Sequence, residues 1–142
     1  MGGTGSRTID RLVAATNDHD AGAMVACFHE DYRSEQPLHP QAGFSGREQV
    51  GRNWSLMFDE VPDLRFDVLR SAVAGAEVWM EARVHGHKVD GSPFEYCGMA
   101  VWGLQDDRVA WARLYFEPVE TGGPAIDERV RQVLGSDPDE AG

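Results

Sequence analysis

Two stretches decide how this chain folds: Leu12–Pro37, LVAATNDHDAGAMVACFHEDYRSEQP, and Phe44–Val50, FSGREQV. The first opens inside a helix. Thr8 can cap it, and Ile9, Leu12, Val13 and Thr16 fall at i, i+3, i+4, i+7, the stripe of one buried helix face. Asn17-Asp18-His19 breaks that helix. Asp20 can cap a second one with Ala21, Met24, Val25 and Phe28 on one side. His29-Glu30-Asp31 then reads as a polar corner and Tyr32–Gln36 as a short strand, ended by a loop holding Pro37, Pro40 and Gly43. In the second stretch, Ser45 and Glu48 form a capping-box pattern, in which each side chain can satisfy the other's orphan amide. The helix it starts places Val50, Trp54, Met57, Phe58 and Val61 on one stripe, and Pro62 ends it.

Working outward, strand signals dominate the rest. Leu64–Ala74 is one strand. Glu77–His87 is a second, alternating Val78, Met80, Ala82 and Val84 against Trp79, Glu81, Arg83 and His85. Asp90-Gly91 marks a hairpin turn. Pro93–Leu104 and Arg108–Pro118 follow, joined at Gln105-Asp106-Asp107. Short turns between successive strands predict an antiparallel meander. The Gly-, Thr- and Ser-rich Met1–Arg7 reads as a mobile arm. Residues 121–142 read as a C-terminal extension with a short helix near Ile126–Leu134 and an acidic tail carrying Asp137, Asp139 and Glu140.

The 142 residues suit one domain with one core. Against 13 Lys and Arg stand 24 Asp and Glu, a net charge of −11. That balance argues against nucleic acid, which is gripped by clustered cations, and against anionic membrane surfaces. The two cysteines, Cys27 and Cys97, form no Cys-x-x-Cys pair, and no His/Cys cluster has zinc spacing, so neither metal nor cofactor is expected. With no cationic-apolar leader and no run of membrane-spanning length, a cytoplasmic protein is the expectation.

The pattern resembles the nuclear transport factor 2-like superfamily, and within it the SnoaL-like group. The likeness covers roughly Thr8–Glu120. It is carried by Asn17…Asp20 between the first two helices, the Phe28-x-x-Asp31 corner, the Gly46-Arg47-Glu48 helix start and Asp107-Arg108-Val109 before the last strand. It implies an α+β cone, three N-terminal helices packed on a curved, mostly antiparallel sheet, enclosing an apolar pocket. The superfamily hosts isomerases, polyketide cyclases, epoxide hydrolases, dehydratases and inert binders, so the fold alone does not assign a reaction.

Position by position, the resemblance implies little acid–base machinery. Ketosteroid isomerases match Leu12–Pro37 without a gap. Their oxyanion-donating tyrosine falls at Leu12 and their proton-shuttling aspartate at Gln36. Their protonated aspartate, counted back from Asp107-Arg108, falls near Met99. Leu and Met cannot donate a hydrogen bond to an enolate and Gln cannot take a proton, so steroid isomerisation is not expected. The last-strand aspartate of SnoaL-like cyclases and limonene-type epoxide hydrolases falls at Leu114. The hydrolases' Arg-x-Asp pair meets Arg83-Val84-His85. A register slip of one residue would exchange the two faces of any of these strands.

Four residues are candidates for chemistry: Gln36, Arg83 and His85, with Glu35 as the alternative base. His85, near His87, could act as base or acid, as an imidazole can near neutral pH, but a solvated hairpin explains it equally. Arg83 can meet a substrate oxygen or pair with Glu81. Either Glu35 or Gln36 faces inward, because strand side chains alternate; a carboxylate inside an apolar cavity would have a raised pKa. His39 either overhangs the pocket mouth or lies on the surface. Leu12, Trp54, Met57, Phe58, Cys97, Met99, Leu114 and Phe116 are the expected pocket lining. Trp111, Arg113, Tyr115 and Glu117 are expected on the outer sheet face, where a homodimer would form. The functional expectation is a pocket for a small hydrophobic molecule, serving a cofactor-independent cyclase, isomerase or epoxide hydrolase. The alternative is a non-catalytic binding or scaffold domain.

Overall fold

A computed structural model describes residues 3–135; the acidic-tail reading falls on residues outside that range. Four helices and six strands alternate in the order α1 (Arg7–Asn17), α2 (Ala21–Ala26), β1 (Phe28–Glu35), β2 (Phe44–Ser45), α3 (Arg47–Glu60), β3 (Arg65–Ala74), β4 (Glu77–His87), β5 (Pro93–Gln105), β6 (Arg108–Pro118) and α4 (Ile126–Val133). The strands form one open, mixed sheet in the order β2-β1-β6-β5-β4-β3. β3 to β6 make the expected antiparallel meander, while β1 enters parallel to β6. The α+β architecture is as expected, with three helices before the long strands and a fourth at the C-terminal end.

Local differences have local causes. Ser6 rather than Thr8 caps α1, its Oγ accepting from Ile9 N at 3.3 Å. Thr8 is buried inside the first turn, where its hydroxyl donates to Asp107 O at 2.9 Å. Thr4, in the segment expected to be mobile, is also buried: its amide and hydroxyl both donate to Asp10 Oδ1 at 2.8 Å. The capping box at Ser45 does not form. Gly46, at φ +94°, takes the N-cap position of α3 without a side-chain cap, a backbone conformation glycine adopts without strain. β1 starts four residues earlier than expected, because His29-Glu30-Asp31 pass through a register shift between Phe28 and Arg33 on β6 and extend the strand.

Asn17-Asp18-His19 ends α1 and also ties it to the sheet. Asn17 Nδ2 donates to Phe66 O at 3.0 Å and its Oδ1 accepts from Phe66 N at 2.7 Å. His19, at φ +56°, places Nε2 2.8 Å from Leu64 O and stacks on Phe58 with centroids 4.4 Å apart.

The inner face of the sheet divides in two. Val78, Met80 and Ala82 of β4, Ala100 of β5 and Val109 and Ala112 of β6 are fully buried beneath α1 and α2 with Ile9, Leu12 and Met24. Each large apolar side chain there contributes about 1.5–3 kcal/mol of transfer free energy. Further along the same strands, Val84, Phe94, Tyr96, Leu114 and Phe116 face a space that no side chain fills, roofed by α3.

Candidate functional site: a neutral cavity in the open half of the sheet

The space is a cavity of ≈ 370 Å³. β1 contributes Phe28, Tyr32 and Ser34, with Gln36 just past its end, and β2 contributes Phe44. Val50, Asn53, Trp54 and Met57 come from α3, one residue per turn or so along its inner stripe. Phe66, Val84, Phe94, Tyr96, Trp102, Leu114 and Phe116 come from the four long strands. Phe28, Tyr32, Val50, Phe66, Val84 and Trp102 are buried and form the inner end. Gln36, Phe94, Tyr96 and Phe116 are half-buried and Asn53 is exposed, which marks the mouth. A smaller void of ≈ 30 Å³ lies behind Phe28, Trp54, Phe66 and Trp102, against Leu12 and Met80.

Nine aromatic side chains line the cavity, and among the described residues no carboxylate, imidazole, ammonium or guanidinium does. Its polar groups are neutral: the Tyr32 and Tyr96 phenols, the Ser34 hydroxyl and the Gln36 and Asn53 amides. Burial pushes the Tyr32 phenol up to about 12, with the neighbouring Ser34 hydroxyl pulling the other way. Tyr32 therefore stays protonated at every physiological pH. In the same wall the Trp102 indole Nε1 is buried without a hydrogen-bond partner among the described residues. No three His, Cys, Asp or Glu side chains among the described residues converge as metal ligands would.

Of the four chemical candidates, the structure brings Gln36 to the cavity. Glu35 points to the other face, where its carboxylate meets Arg113 Nη1 at 2.7 Å and Arg33 Nε at 3.3 Å. Arg83 and His85 also lie on that outer face, because Val84 between them faces in. Arg83 Nε donates to Glu95 Oε1 at 2.6 Å, which raises the guanidinium pKa further; Glu81 pairs with Arg70 instead of Arg83. His85 Nε2 lies 2.6 Å from Asp67 Oδ2.

The other histidines are partnered as well. His29 meets Gln105 O at 2.9 Å, His39 meets Glu117 Oε1 at 2.6 Å, and His87 meets Asp63 Oδ2 at 2.8 Å. Hydrogen bonds from His87 hold the Asp63 carboxyl below the usual range. None of the five histidines lines the cavity.

Of the expected lining, Trp54, Met57, Leu114 and Phe116 are in the cavity wall and Leu12 borders the smaller void. Phe58 turns aside to stack on His19. Cys97 and Met99 sit on the outer face, a correction with a definite cause. Unbroken alternation along β5 puts Phe94, Tyr96, Ala100 and Trp102 on the inner face, so Cys97 and Met99 between them face out; the bulge beside Gly103 and Leu104 carries its extra residue, Ala110, on β6. At that bulge the Trp111 indole lies on Gly103, where an added Cβ would be 1.9 Å from the ring. The remaining wall, notably Tyr32, Ser34, Phe94 and Tyr96, escaped the sequence reading. The signal for Tyr32 and Ser34 was their spacing of two from Gln36. For Tyr96 it was its pairing opposite Val84 across the hairpin.

The SnoaL-like domain family matches residues 9–112, and the chain belongs to that family. No curated protein matches the chain in sequence. Among solved structures, it is similar to an LEH-like epoxide hydrolase of M. tuberculosis, with TM-score 0.68 and 18% identity over 78% of this chain and 80% of that one. It is likewise similar to a Catenulispora acidiphila protein with a ketosteroid isomerase-like fold, solved in complex with trimethylamine. There the TM-score is 0.67 and the identity 18%, over 77% of this chain and 84% of that one. A protein of Jannaschia sp. CCS1, provisionally assigned as a SnoaL-like polyketide cyclase, gives TM-score 0.66 and 20% identity over 78% and 83% of the two chains. At these identities the likeness carries the fold. No helix among the described residues is long and apolar enough to cross a membrane.

Proposed function

We propose that this chain binds a small, neutral, largely apolar molecule in the ≈ 370 Å³ cavity, without acid–base catalysis. One observation carries the reading: among the described residues the wall holds no carboxylate, imidazole, thiol, ammonium or guanidinium, and its buried Tyr32 phenol is pushed up to about 12. General acid–base chemistry at neutral pH needs a group with a pKa near the working pH, within hydrogen-bond reach of the reacting proton. The Glu35 carboxylate and the His85 imidazole, the candidates that could carry a proton, face away, as does the Arg83 guanidinium. What remains suits recognition. Tyr32, Ser34, Gln36 and Asn53 can hydrogen-bond an oxygen-bearing end, while the aromatic walls take an apolar body.

A second reading rests on the nine aromatic rings. Rings facing an uncharged space attract alkylammonium ions by their quadrupoles. The trimethylamine bound by the Catenulispora acidiphila protein agrees with that chemistry.

The test is a thermal-shift and calorimetry screen of polycyclic ketones, lactones and epoxides, with tetramethylammonium as the cationic arm and product analysis in parallel. Stabilisation by neutral ligands without turnover is the expected result. Gln36→Leu should weaken the binding of ketones and lactones roughly tenfold, the loss of one hydrogen bond of ~1.4 kcal/mol. The outward-facing variants Arg83→Gln and His85→Gln should bind like the parent chain. Turnover abolished by His85→Gln would overturn the proposal.

The outer sheet face is proposed as the homodimer surface. Trp79, Met99 and Tyr115 lie there in cross-strand rows, flanked by the Arg83–Glu95 and Arg113–Glu35 pairs. Trp79 is 46% exposed, a large aromatic area for a lone chain to leave in water.

A further inference from the structure

The chain leaves the sheet at the mouth of the cavity. Phe116 lines the cavity, Pro118 pairs with Tyr96, and Val119 N donates to Glu95 O at 3.0 Å. Residues 119–125 then lead to α4. On α4, Ile126, Val130, Val133 and Leu134 recur at i, i+4, i+7 and i+8, one apolar stripe. All four are exposed, by 45% at Val130 and 78% at Val133. The helix is fastened by Arg129 to Glu120 of its own linker, at 2.5 Å. An amphipathic helix whose apolar side meets water lacks its partner surface.

We infer that α4 folds back over the cavity mouth, laying this stripe on the rim formed by Phe94, Tyr96 and Phe116 and against Leu56 of α3. Leu56 is 61% exposed and lies one turn beyond Asn53 on α3. Reach permits it, since seven extended residues span up to ~23 Å. Size permits it, since an eight-residue helix is about 12 Å long and a spherical cavity of this volume roughly 9 Å across. A short tether also holds the helix at an effective concentration of about millimolar near its own rim, well above that of a second copy at micromolar protein. Asp127 and Glu128 in the first turn of α4, on a chain of net charge −11, disfavour an anionic lipid surface as the partner. The cavity would thus be closed from water once a ligand is seated.

The docking can be tested without a ligand, so its outcome is separate from the binding reading on which the closure role rests. In the full chain with Cys97→Ser, the pair Val130→Cys and Leu56→Cys is oxidised with diamide. An intramolecular disulfide whose yield is independent of protein concentration is expected. The pair Val130→Cys and Ala72→Cys, which sets α4 against the outer face of β3, should give none. Absence of the Leu56 cross-link overturns the inference, and so do cross-links between chains that grow with concentration. Closure is then read by stopped-flow release of the neutral dye Nile red, expected at least tenfold slower from the oxidised than from the reduced protein. Equal release rates overturn the closure. If the dye binds neither form, the binding reading fails, and the disulfide yield alone decides where α4 docks.

Discussion

Replacing Tyr32 by Phe separates the cavity's neutrality from everything else that titrates. Tyr32 is 2% exposed, and burial moves its phenol from 10.0 to about 12. The raised value means that the folded state holds the proton more tightly than the unfolded state does. The corresponding stability is fully present below pH 10 and is lost as pH rises from 10 through 12. Such a shift corresponds to roughly 3 kcal/mol at the plateau; linkage makes the loss small at pH 10 and on the order of 1 kcal/mol by pH 11. The Phe variant keeps the ring, its edge contact with Phe28 at 4.5 Å and every other titratable group, so the difference between the two proteins isolates this phenol.

Parallel urea titrations at pH 8, 9, 10, 10.5 and 11 supply that difference. Between pH 8 and 9 the gap between parent and variant should be constant. By pH 11 the parent should have lost on the order of 1 kcal/mol relative to Tyr32→Phe. A gap that stays flat to pH 11 would refute the reasoning, because it would mean that the phenol ionises as readily in the folded protein as in the unfolded one. The same neutrality predicts ligand affinity independent of pH between 5 and 9.

Two further outcomes follow from the geometry. Asn17→Ala removes both hydrogen bonds to the buried Phe66 backbone and should cost about 2 kcal/mol, read as a lower urea midpoint with unchanged slope; a loss under ~0.5 kcal/mol would show that the tie is dispensable. Trp79→Arg places a cation on the outer sheet face and should convert a dimer into a monomer in sedimentation equilibrium, with the fold retained by circular dichroism; a parent chain that already sediments as a monomer would exclude that surface.

The fold was legible because its signals are local. Glu77–His87 and Arg108–Pro118 announce themselves by alternation between turns, and both strands span those residues. The site was less legible because a strand's face is set over distance. Val78 to Val84 was already recognisable as one face of β4, and it is the inner one. Nothing local to β5 reveals which of its two alternating faces is the inner one; in the sheet Tyr96, Ala100 and Trp102 face in and Cys97 and Met99 face out. Ser45 illustrates the same limit from the other side. Its capping pattern with Glu48 is sound chemistry, yet Gly46 begins the helix, because Gly46 N donates to Tyr32 O at 2.6 Å and holds the entry to α3 against β1. That contact joins residues distant in sequence.

Met99 faces out, and the positions beside it restore no acid. Gly98 and Ala100 flank it on the inner face, and neither can donate a proton. The same holds on β6, where Leu114 is flanked by Arg113, paired with Glu35, and by Tyr115 on the outer face. On β4 a slip would exchange Val84 for Arg83 or His85, but the alternation of buried Val78, Met80 and Ala82 fixes Val84 inside. On β5, as on β4, the lack of an inward acid follows from the observed register, since a slip of one residue would carry Glu95 to the inner face. Among the described residues no carboxylate lines the cavity, which leaves Tyr32, Ser34 and Gln36, neutral and two apart along the chain, to set which molecules it accepts.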